Sequence, residues 1–526
     1  MRLSINNNKV CIECRYEEKD LVKAIGNYKF NKATKLWEFP LSSLIPIVEQ
    51  LRIDYDKTVE AKYKLLKKKQ AEYKEKIEIS NKIKIGRKIS LPKNIDTKKL
   101  FRHQKSALSL AYMFDSYALF MEMGTGKSLV AVKLMELRKP AMVVAPLSTL
   151  ESVWVNEIKK WSSLTCVNLW QNLDALDKDY DVYITNYEHF KKIKNIDKIN
   201  MLVIDESAKL KNHKSGITKH LLSFKDTVKH KLILSGKPAP NGLMEYWGQM
   251  AFVNHELLGD NFFRFRNKYF YSSGYGGYLY VAYSGAKEAI MKQISKQAYV
   301  IKKEEAVDLP ERTFETRLIE MDKLQRDKYD EMWKLNILEY KNHVALGANE
   351  LAKLMKCREI TSGFVISENG FVVEISKSKF NELKAVLDEL DHDRQVIIWC
   401  QFHKEIEQLK AEFGDDATTL YGAMKQKDKE QAIKDFQDGK YRLLLAHPLS
   451  GGHGLTFVNC SYVIWYSLSY SAEQFDQAND RVHRIGQLNK CTYILLLAHN
   501  SIDEIIHKAL QKKERMAESC LKMLKK

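Results

Sequence analysis

Two groups of short, almost uninterrupted apolar runs constrain this chain more than any other feature. The first group is "YALFME" (117–122), "AMVVAP" (141–146), "DVYITN" (181–186), "MLVIDE" (201–206) and "KLILSG" (231–236). The second is "QVIIWCQ" (395–401), "ATTLYG" (417–422), "YRLLLAH" (441–447), "YVIWYS" (462–467) and "TYILLLA" (492–498). Runs without polar alternation belong to strands buried on both faces, as in parallel sheets covered by helices. Helical stretches separate most of them, so the expected fold class is α/β, with two doubly wound parallel-sheet lobes. A chain of 526 residues is too long for one core, and three or more domains are expected. The boundaries read as a small α+β domain (1–56), a basic helical connector (57–99), a first lobe (100–250), helical insertions and linker (251–375), a second lobe (376–505) and a C-terminal helix (506–526).

The formal net charge of +18 suggests a polyanionic partner. Residues 57–99 hold 15 Lys/Arg against 5 Asp/Glu, so this stretch alone supplies +10. Val59, Tyr63, Leu66, Tyr73 and Ile77 recur there at helical spacing, which reads either as a solvated connector helix or as a DNA-contacting one. Cys11 and Cys14 form a CxxC within an alternating, strand-like stretch; three apart in a strand, the thiols face opposite ways, and no second CxxC completes a zinc site. Scattered thiols fit a reducing cytosol, and no apolar run reaches membrane-spanning length. A soluble protein of the cytoplasm with no membrane partner is expected.

"MEMGTGKSLV" (121–130) stands where a strand meets a helix. There Met123, Gly124, Thr125 and Gly126 form a loop whose backbone N–H groups can cradle phosphates, with Lys127 reaching the β/γ-phosphates and Ser128 a magnesium ligand. The full P-loop pattern wants a glycine at 121, which is Met121. "MLVIDESAKL" (201–210) ends a strand in two adjacent acids. Neighbouring strand residues point to opposite faces, so the acids serve different partners. Asp205 would hold magnesium with Ser128, and Glu206 would polarise the attacking water as general base. In "QANDRVHRIGQ" (477–487), Arg481 and Arg484 are three apart and would share a helix face; with Gln477 they could reach a γ-phosphate held by the first lobe. Hydrolysis would then depend on lobe closure.

In this ordered set the sequence resembles superfamily-two helicase-like ATPases of the SWI/SNF type, from about Leu100 to Ser501. "FRHQ" (101–104), "MGTGKS", "VVAPLSTLESVWVNEIKKW", "ITNYE", "DESAKLKN", "LILSGKPAPN", "SGGHGLTF" and "RIGQ" carry the resemblance. It implies two RecA-like lobes, ATP and magnesium, translocation on double-stranded DNA, and an adenine-recognising segment containing Arg102 and Gln104. Three positions depart from the pattern: Asp205-Glu206-Ser207-Ala208 has no histidine, Lys237 stands where Thr is general, and Thr456 replaces a frequent Asn. His447-Pro448 is similar to phage and bacterial members, implying the cytoplasm of a bacterium or phage-infected host.

Candidate DNA contacts are Ser148 and Thr149 at a strand-to-helix junction, Lys209 and Lys211 beside the acids, and Gly451, Gly452 and Gly454 in the second lobe. Ser148 and Thr149 also read as plain helix caps. Trp154 and Trp161 are seven apart and read as core rather than base-stacking residues. Residues 1–56 are similar to the HARP-type domain of annealing helicases through "FNKATKLW" (30–37) and Phe39. In the other reading, Phe30, Trp37 and Phe39 simply form a small core. The expectation is a DNA-dependent ATPase that remodels branched or forked DNA. Its rivals are an ATP-driven remodeller displacing polymerase or other proteins from DNA, and a catalytically silent DNA-binding module.

Overall fold

The computed structural model describes all residues except 87–90, 92–94, 172, 274–278, 307–308, 336, 341–342, 347–348, 451–454 and 526. The chain divides into two units, Met1–Lys88 and Ile89–Lys526.

The first unit contains strands β1 (Arg2–Asn6), β2 (Lys9–Glu13), β3 (Lys29–Asn31), β4 (Leu36–Pro40) and β5 (Asp54–Tyr55), in the sheet order β3-β4-β2-β1-β5. Helices Lys19–Ala24 and Leu44–Gln50 accompany it. Leu3, Val10, Ile12, Phe39, Leu44 and Ile47 form its core. Phe39 is buried, whereas Phe30 is exposed and packs with Tyr28 against Trp37 on the surface. Of the three aromatics considered for the core, Phe39 lies in it, Trp37 packs half-buried against it, and Phe30 stays outside. The basic stretch is one helix, Lys57–Lys84, started by Asp56, whose carboxylate accepts the Val59 N–H at 2.8 Å. Val59 enters the small core, so the connector begins as part of this unit.

In the second unit the first sheet is parallel and seven-stranded: β6 (Ser116–Met121), β7 (Ala141–Ala145), β8 (Cys166–Asn168), β9 (Val182–Asn186), β10 (Met201–Ile204) and β11 (His230–Leu234), with one more strand from beyond residue 250. A hairpin, β12 (Phe270–Ser273) and β13 (Leu279–Ala282), intervenes before that last strand, β14 (Ala298–Ile301). The order is β14-β6-β11-β10-β7-β9-β8. The second sheet starts with β15 (Arg312–Ile319). Two hairpins follow, β16 (Ile337–Tyr340) with β17 (His343–Leu346), and β18 (Phe364–Ile366) with β19 (Val372–Glu374). Then come β20 (Val396–Trp399), β21 (Ala417–Leu420), β22 (Leu443–Ala446), β23 (Tyr462–Trp465) and β24 (Cys491–Ala498). This six-stranded sheet is also parallel, in the order β15-β24-β23-β20-β22-β21.

Both lobes are thus doubly wound α/β layers. The stretch read as helical insertions gives an edge strand to each lobe, β14 to the first and β15 to the second. The last helix, Ile502–Lys525, packs on both, with Ile506 and Leu510 in the second core and Cys520 in the first. Among the described residues no helix is long and apolar enough to cross a membrane.

Candidate active site

Open α/β sheets bind ligands beyond the carboxyl ends of their strands. In the first lobe these ends carry the P-loop after β6, the acid pair after β10, and Ser148–Thr149 after β7. An open cleft is lined there by Met123, Gly124, Gly126, Lys127, Ser128, Asp205 and Glu206. Facing them from the second lobe are Thr456, Gln477, Arg481 and Arg484.

The P-loop turns on two left-handed glycines, Gly124 (φ 77°) and Gly126 (φ 84°). At Gly126 an added Cβ would lie 2.2 Å from the Gln104 Nε2. Gln104 is buried directly beneath the loop: its Nε2 donates to the Thr125 carbonyl at 3.2 Å, and its Oε1 accepts the Phe101 N–H at 3.0 Å. These backbone bonds differ from the adenine contact expected of it. The amide props the loop, and His103 helps, its Nε2 lying 2.8 Å from the same carbonyl. Thr125 is fully buried, with its hydroxyl donating to the Glu122 carbonyl at 2.7 Å, so it shapes the turn and does not line the cleft. Arg102 is exposed at the start of the Gln104 helix and is likewise outside the lining. The Lys127 ammonium donates to the carbonyls of Met121 (2.8 Å) and Glu122 (3.2 Å).

Each oxygen of Asp205 already has one donor: the indole N–H of Trp154 on Oδ2 and the Glu206 N–H on Oδ1, both at 2.9 Å. Glu206 sits in the left-handed region (φ 50°), a strained conformation for a non-glycine residue. The Tyr187 hydroxyl stabilises this bend by donating to the Asp205 carbonyl, with the Glu206 carbonyl 3.3 Å away. Burial raises both carboxyls above the ordinary range; for Glu206 the Asp205 charge adds to it, and Lys127 only partly offsets it. Asp205 and Glu206 thus offer carboxyl oxygens beside the P-loop, with Arg481 and Arg484 across the cleft. That donor set fits a divalent cation, with the Ser128 hydroxyl in the same lining as a further oxygen ligand.

Trp154 lies in a π-helical turn, Leu150–Val155, that runs into helix Asn156–Trp161. It is fully buried, as expected of a core residue, yet its N–H orients a carboxylate of the site. Thr149 is also buried, its hydroxyl donating to the Pro146 carbonyl at 2.8 Å, and it lines the nucleotide-side cleft; Ser148 is exposed. Lys209 and Lys211 are exposed on the helical turn Ser207–Lys211 beside the acids. Gly451, Gly452 and Gly454 lie outside the described residues.

The second-lobe cations differ from expectation in one respect. Helix Ala472–Asn479 ends before them, so Arg481 and Arg484 stand in the turns that follow and do not share a helix face. The chain tightens there, Arg481 N–H bonding the Ala478 carbonyl and Arg484 N–H the Val482 carbonyl. Arg481 is 4% exposed; its Nη2 donates to the Pro448 carbonyl at 2.9 Å, while its buried Nη1 has no acceptor among the described residues. Burial, with Arg484 repelling, pushes this guanidinium down to about 9. Arg484 donates to the Asp480 carbonyl (2.7 Å) and to the Thr456 hydroxyl (3.1 Å). Its Cγ lies 3.8 Å from where a Cβ on Gly124 would stand, so the second lobe touches the P-loop itself.

A family model described as the SNF2-related domain matches residues 50–365, and one for the helicase conserved C-terminal domain matches 378–486. The chain belongs to the SNF2-related family. It is accordingly an ATP-hydrolysing, helicase-like enzyme. This SNF2-related chain is 25% identical over 439 residues to protein p41 of Acyrthosiphon pisum secondary endosymbiont phage 1, covering 77% of this chain and 94% of the relative. It is 28% identical to the human SWI/SNF-related matrix-associated actin-dependent regulator of chromatin subfamily A member 1, covering 75% of this chain and 40% of that protein. Against yeast nuclear protein STH1/NPS1 the identity is 27%, and the match spans 32% of that longer protein. A solved Sulfolobus solfataricus SWI2/SNF2 ATPase core in complex with dsDNA aligns at 21% identity and a TM-score of 0.40, over 83% of this chain and 96% of that one.

Proposed function

We propose that this chain is a DNA-dependent ATPase that translocates on double-stranded DNA and remodels branched or forked DNA. The observation that carries the motor reading is Arg481. Arg481 lines, from the second lobe, a cleft whose P-loop and acids belong to the first, and its buried Nη1 has no acceptor among the described residues. An unpaired buried cation is costly unless an anion arrives. The γ-phosphate of ATP is that anion.

Lys127 and the P-loop N–H groups bind the β/γ-phosphates, and Gln477, Arg481 and Arg484 meet the γ-phosphate from the other lobe. Ser128 and Asp205 would hold magnesium, which would neutralise phosphate charge. Glu206 takes the proton of the attacking water as its oxygen bonds the γ-phosphorus and the bond to the β-bridging oxygen breaks; ADP and inorganic phosphate leave. Because both lobes contribute, hydrolysis requires closure, and closure moves whatever the lobes hold.

The polyanion is DNA: Lys209 and Lys211 are exposed next to the acid pair, and the Lys57–Lys84 helix concentrates positive charge. The preference for branched DNA belongs to the first unit. Its exposed Tyr28 and Phe30, grouped with Trp37, offer ring faces for unpaired bases beside Lys23, whose ammonium lies 5.8 Å from the Trp37 ring. The test compares ATP turnover on single-stranded, duplex and forked DNA, and fork regression by the full chain and by a chain starting at Ile89. Expected are stimulation by duplex, and loss of fork regression but not of duplex-stimulated turnover in the truncated chain. Equal regression by both chains would remove the junction role and favour displacement of a bound protein from duplex, read by polymerase stripping. No stimulation by any DNA would overturn the motor reading.

A further inference from the structure

We propose that Lys237 is a positioning residue for ATP hydrolysis: with Asp476 it forms an interlobe latch that holds Arg481 and Arg484 over the P-loop. The inference rests on the hydrolytic reading given above.

Lys237 stands three residues beyond the end of β11, on a segment pressed against the P-loop. A Cβ on its neighbour Gly236 would lie 3.4 Å from the Met123 Cγ and 3.5 Å from the Met123 N. From there the Lys237 ammonium crosses to the second lobe and pairs with Asp476. One helical turn further on, Asp480 pairs with Lys303, which follows β14 of the first sheet. Lys303 is itself fixed to the first lobe, its N–H donating to Glu122 Oε2 at 2.9 Å, and its ammonium also reaches the His483 carbonyl at 2.9 Å.

Two aspartates, 476 and 480, are therefore each tied to a first-lobe lysine, and the phosphate-facing residues are interleaved with them. Gln477 follows Asp476, Arg481 follows Asp480, and Arg484 donates to the Asp480 carbonyl at 2.7 Å. The ion pairs thus set how far the helix end is rolled toward the cleft. Apolar packing of Ala472, Phe475 and Ala478 anchors this helix to the second lobe, and the two ion pairs tie it across to the first, beside a pocket that shares Met123, Glu206 and Gln477 with the nucleotide cleft.

The lysine is also connected backwards to the acids. The hydroxyl of Ser207, next to Glu206, donates to Gln249 Oε1 at 2.8 Å, and Gln249 Nε2 donates to the carbonyl of Pro238, next to Lys237, at 2.6 Å. A continuous path runs from the water-activating acid to the arginines of the other lobe. Burial lifts the Asp476 carboxyl and Lys237 only partly offsets this, leaving it at about 6, so at neutral pH Asp476 is mainly a carboxylate. Both partners retain some exposure, at 24% and 19%, so the pair adds little to global stability and its removal leaves the fold intact.

The test measures ATP turnover by the full chain at saturating duplex DNA for Lys237→Ala, Asp476→Asn, the double variant and Lys237→Arg. Misplacing reacting groups by about 1 Å costs on the order of a hundredfold in rate, so each of the first two should lower maximal turnover at least about tenfold. Half-saturating ATP and DNA should stay within about threefold of wild type, and the melting temperature should be unchanged. The double variant should be no slower than the worse single one, since either change already opens the latch. Lys237→Arg, which keeps the charge, should retain most of the turnover. Normal turnover of Lys237→Ala would overturn the latch, as would losses that multiply in the double variant. A loss confined to raised half-saturating DNA would also overturn it, reassigning Lys237 to DNA. Wild-type protein without DNA-stimulated turnover would overturn the underlying hydrolytic reading, an outcome distinct from an active wild type matched by Lys237→Ala.

Discussion

Replacing Gly126 by alanine tests the P-loop more sharply than replacing Lys127, because the structure sets the size of the effect. The new Cβ would lie 2.2 Å from the Gln104 Nε2, inside the 3.0 Å that real Cβ contacts observe. Gln104 is 3% exposed and bonded at both ends of its amide, so it cannot swing away freely. Holding alanine at φ 84° costs about 1–2 kcal/mol. Breaking the bond to the Thr125 carbonyl and stranding buried polar atoms costs roughly 1–3 kcal/mol more. The loop relieves this by shifting toward the open cleft, so the loss appears in nucleotide binding, as a weakening of roughly thirtyfold or more. Gly124→Ala has only its φ against it, since its nearest neighbours would be at 3.6 and 3.8 Å, and should weaken binding about five- to thirtyfold. Removing the obstacle should partly reverse the effect: Gly126→Ala with Gln104→Ala should bind better than Gly126→Ala alone. Titration with a fluorescent ATP analogue reads all four proteins. Near-normal binding by Gly126→Ala, or a double variant no better than the single, would refute the role given to Gln104.

Trp154→Phe removes the indole N–H from Asp205, a bond to a charged group worth about 1.5–3 kcal/mol, and should raise the half-saturating magnesium concentration about tenfold or more; an unchanged magnesium titration would make Trp154 core alone. Tyr187→Phe frees the two carbonyls that hold Glu206 in its left-handed bend, and should lower maximal turnover while leaving ATP affinity near normal; a loss of affinity instead would contradict that assignment. Stability should also fall in acid through His230. Burial, with Arg138 repelling, pushes its imidazole down to about 4 from the ordinary 6.5. The unfolded chain takes this proton first, so the stabilisation is complete above about 6.5 and is lost as pH falls toward 4. The melting temperature of His230→Gln should decline less than that of wild type across this window; parallel profiles would exclude a neutral buried imidazole.

The sheet strands visible in the sequence are those whose surroundings demand unbroken apolar runs. All ten runs overlap a strand of one of the two sheets; nine of these strands are interior and covered on both faces, and the tenth, β21, is an edge. The three sheet strands not anticipated, β8, β14 and β15, lie at sheet edges. β8 is only three residues long, β15 is exposed over most of "RTFETRLI", and β14, buried throughout, is the short run "AYVI" closed by Lys302 and Lys303. None of them yields a long apolar run. This is why the stretch between the lobes looked helical while contributing a strand to each.

The site divides along the same physical line. Lys127, Ser128, Asp205 and Glu206 were legible because the phosphate-binding turn and the strand-end acid pair are local patterns, written within a few residues. The residues that hold them in place are distant in sequence. Trp154 reaches Asp205 across 51 positions, Tyr187 reaches the acid carbonyls across 18 and 19, and Gln104 reaches Thr125 across 21. Such contacts depend on which strands become neighbours, and the order β6-β11-β10-β7-β9 is what brings these segments together. Trp154 shows the consequence most clearly. Its spacing from Trp161 marks a buried face, and it is buried, but a π-turn and the proximity of β7 to β10 place its N–H on Asp205. In this cleft, core packing and electrostatics are therefore one arrangement: the side chains that fill the first lobe also decide where its charges point.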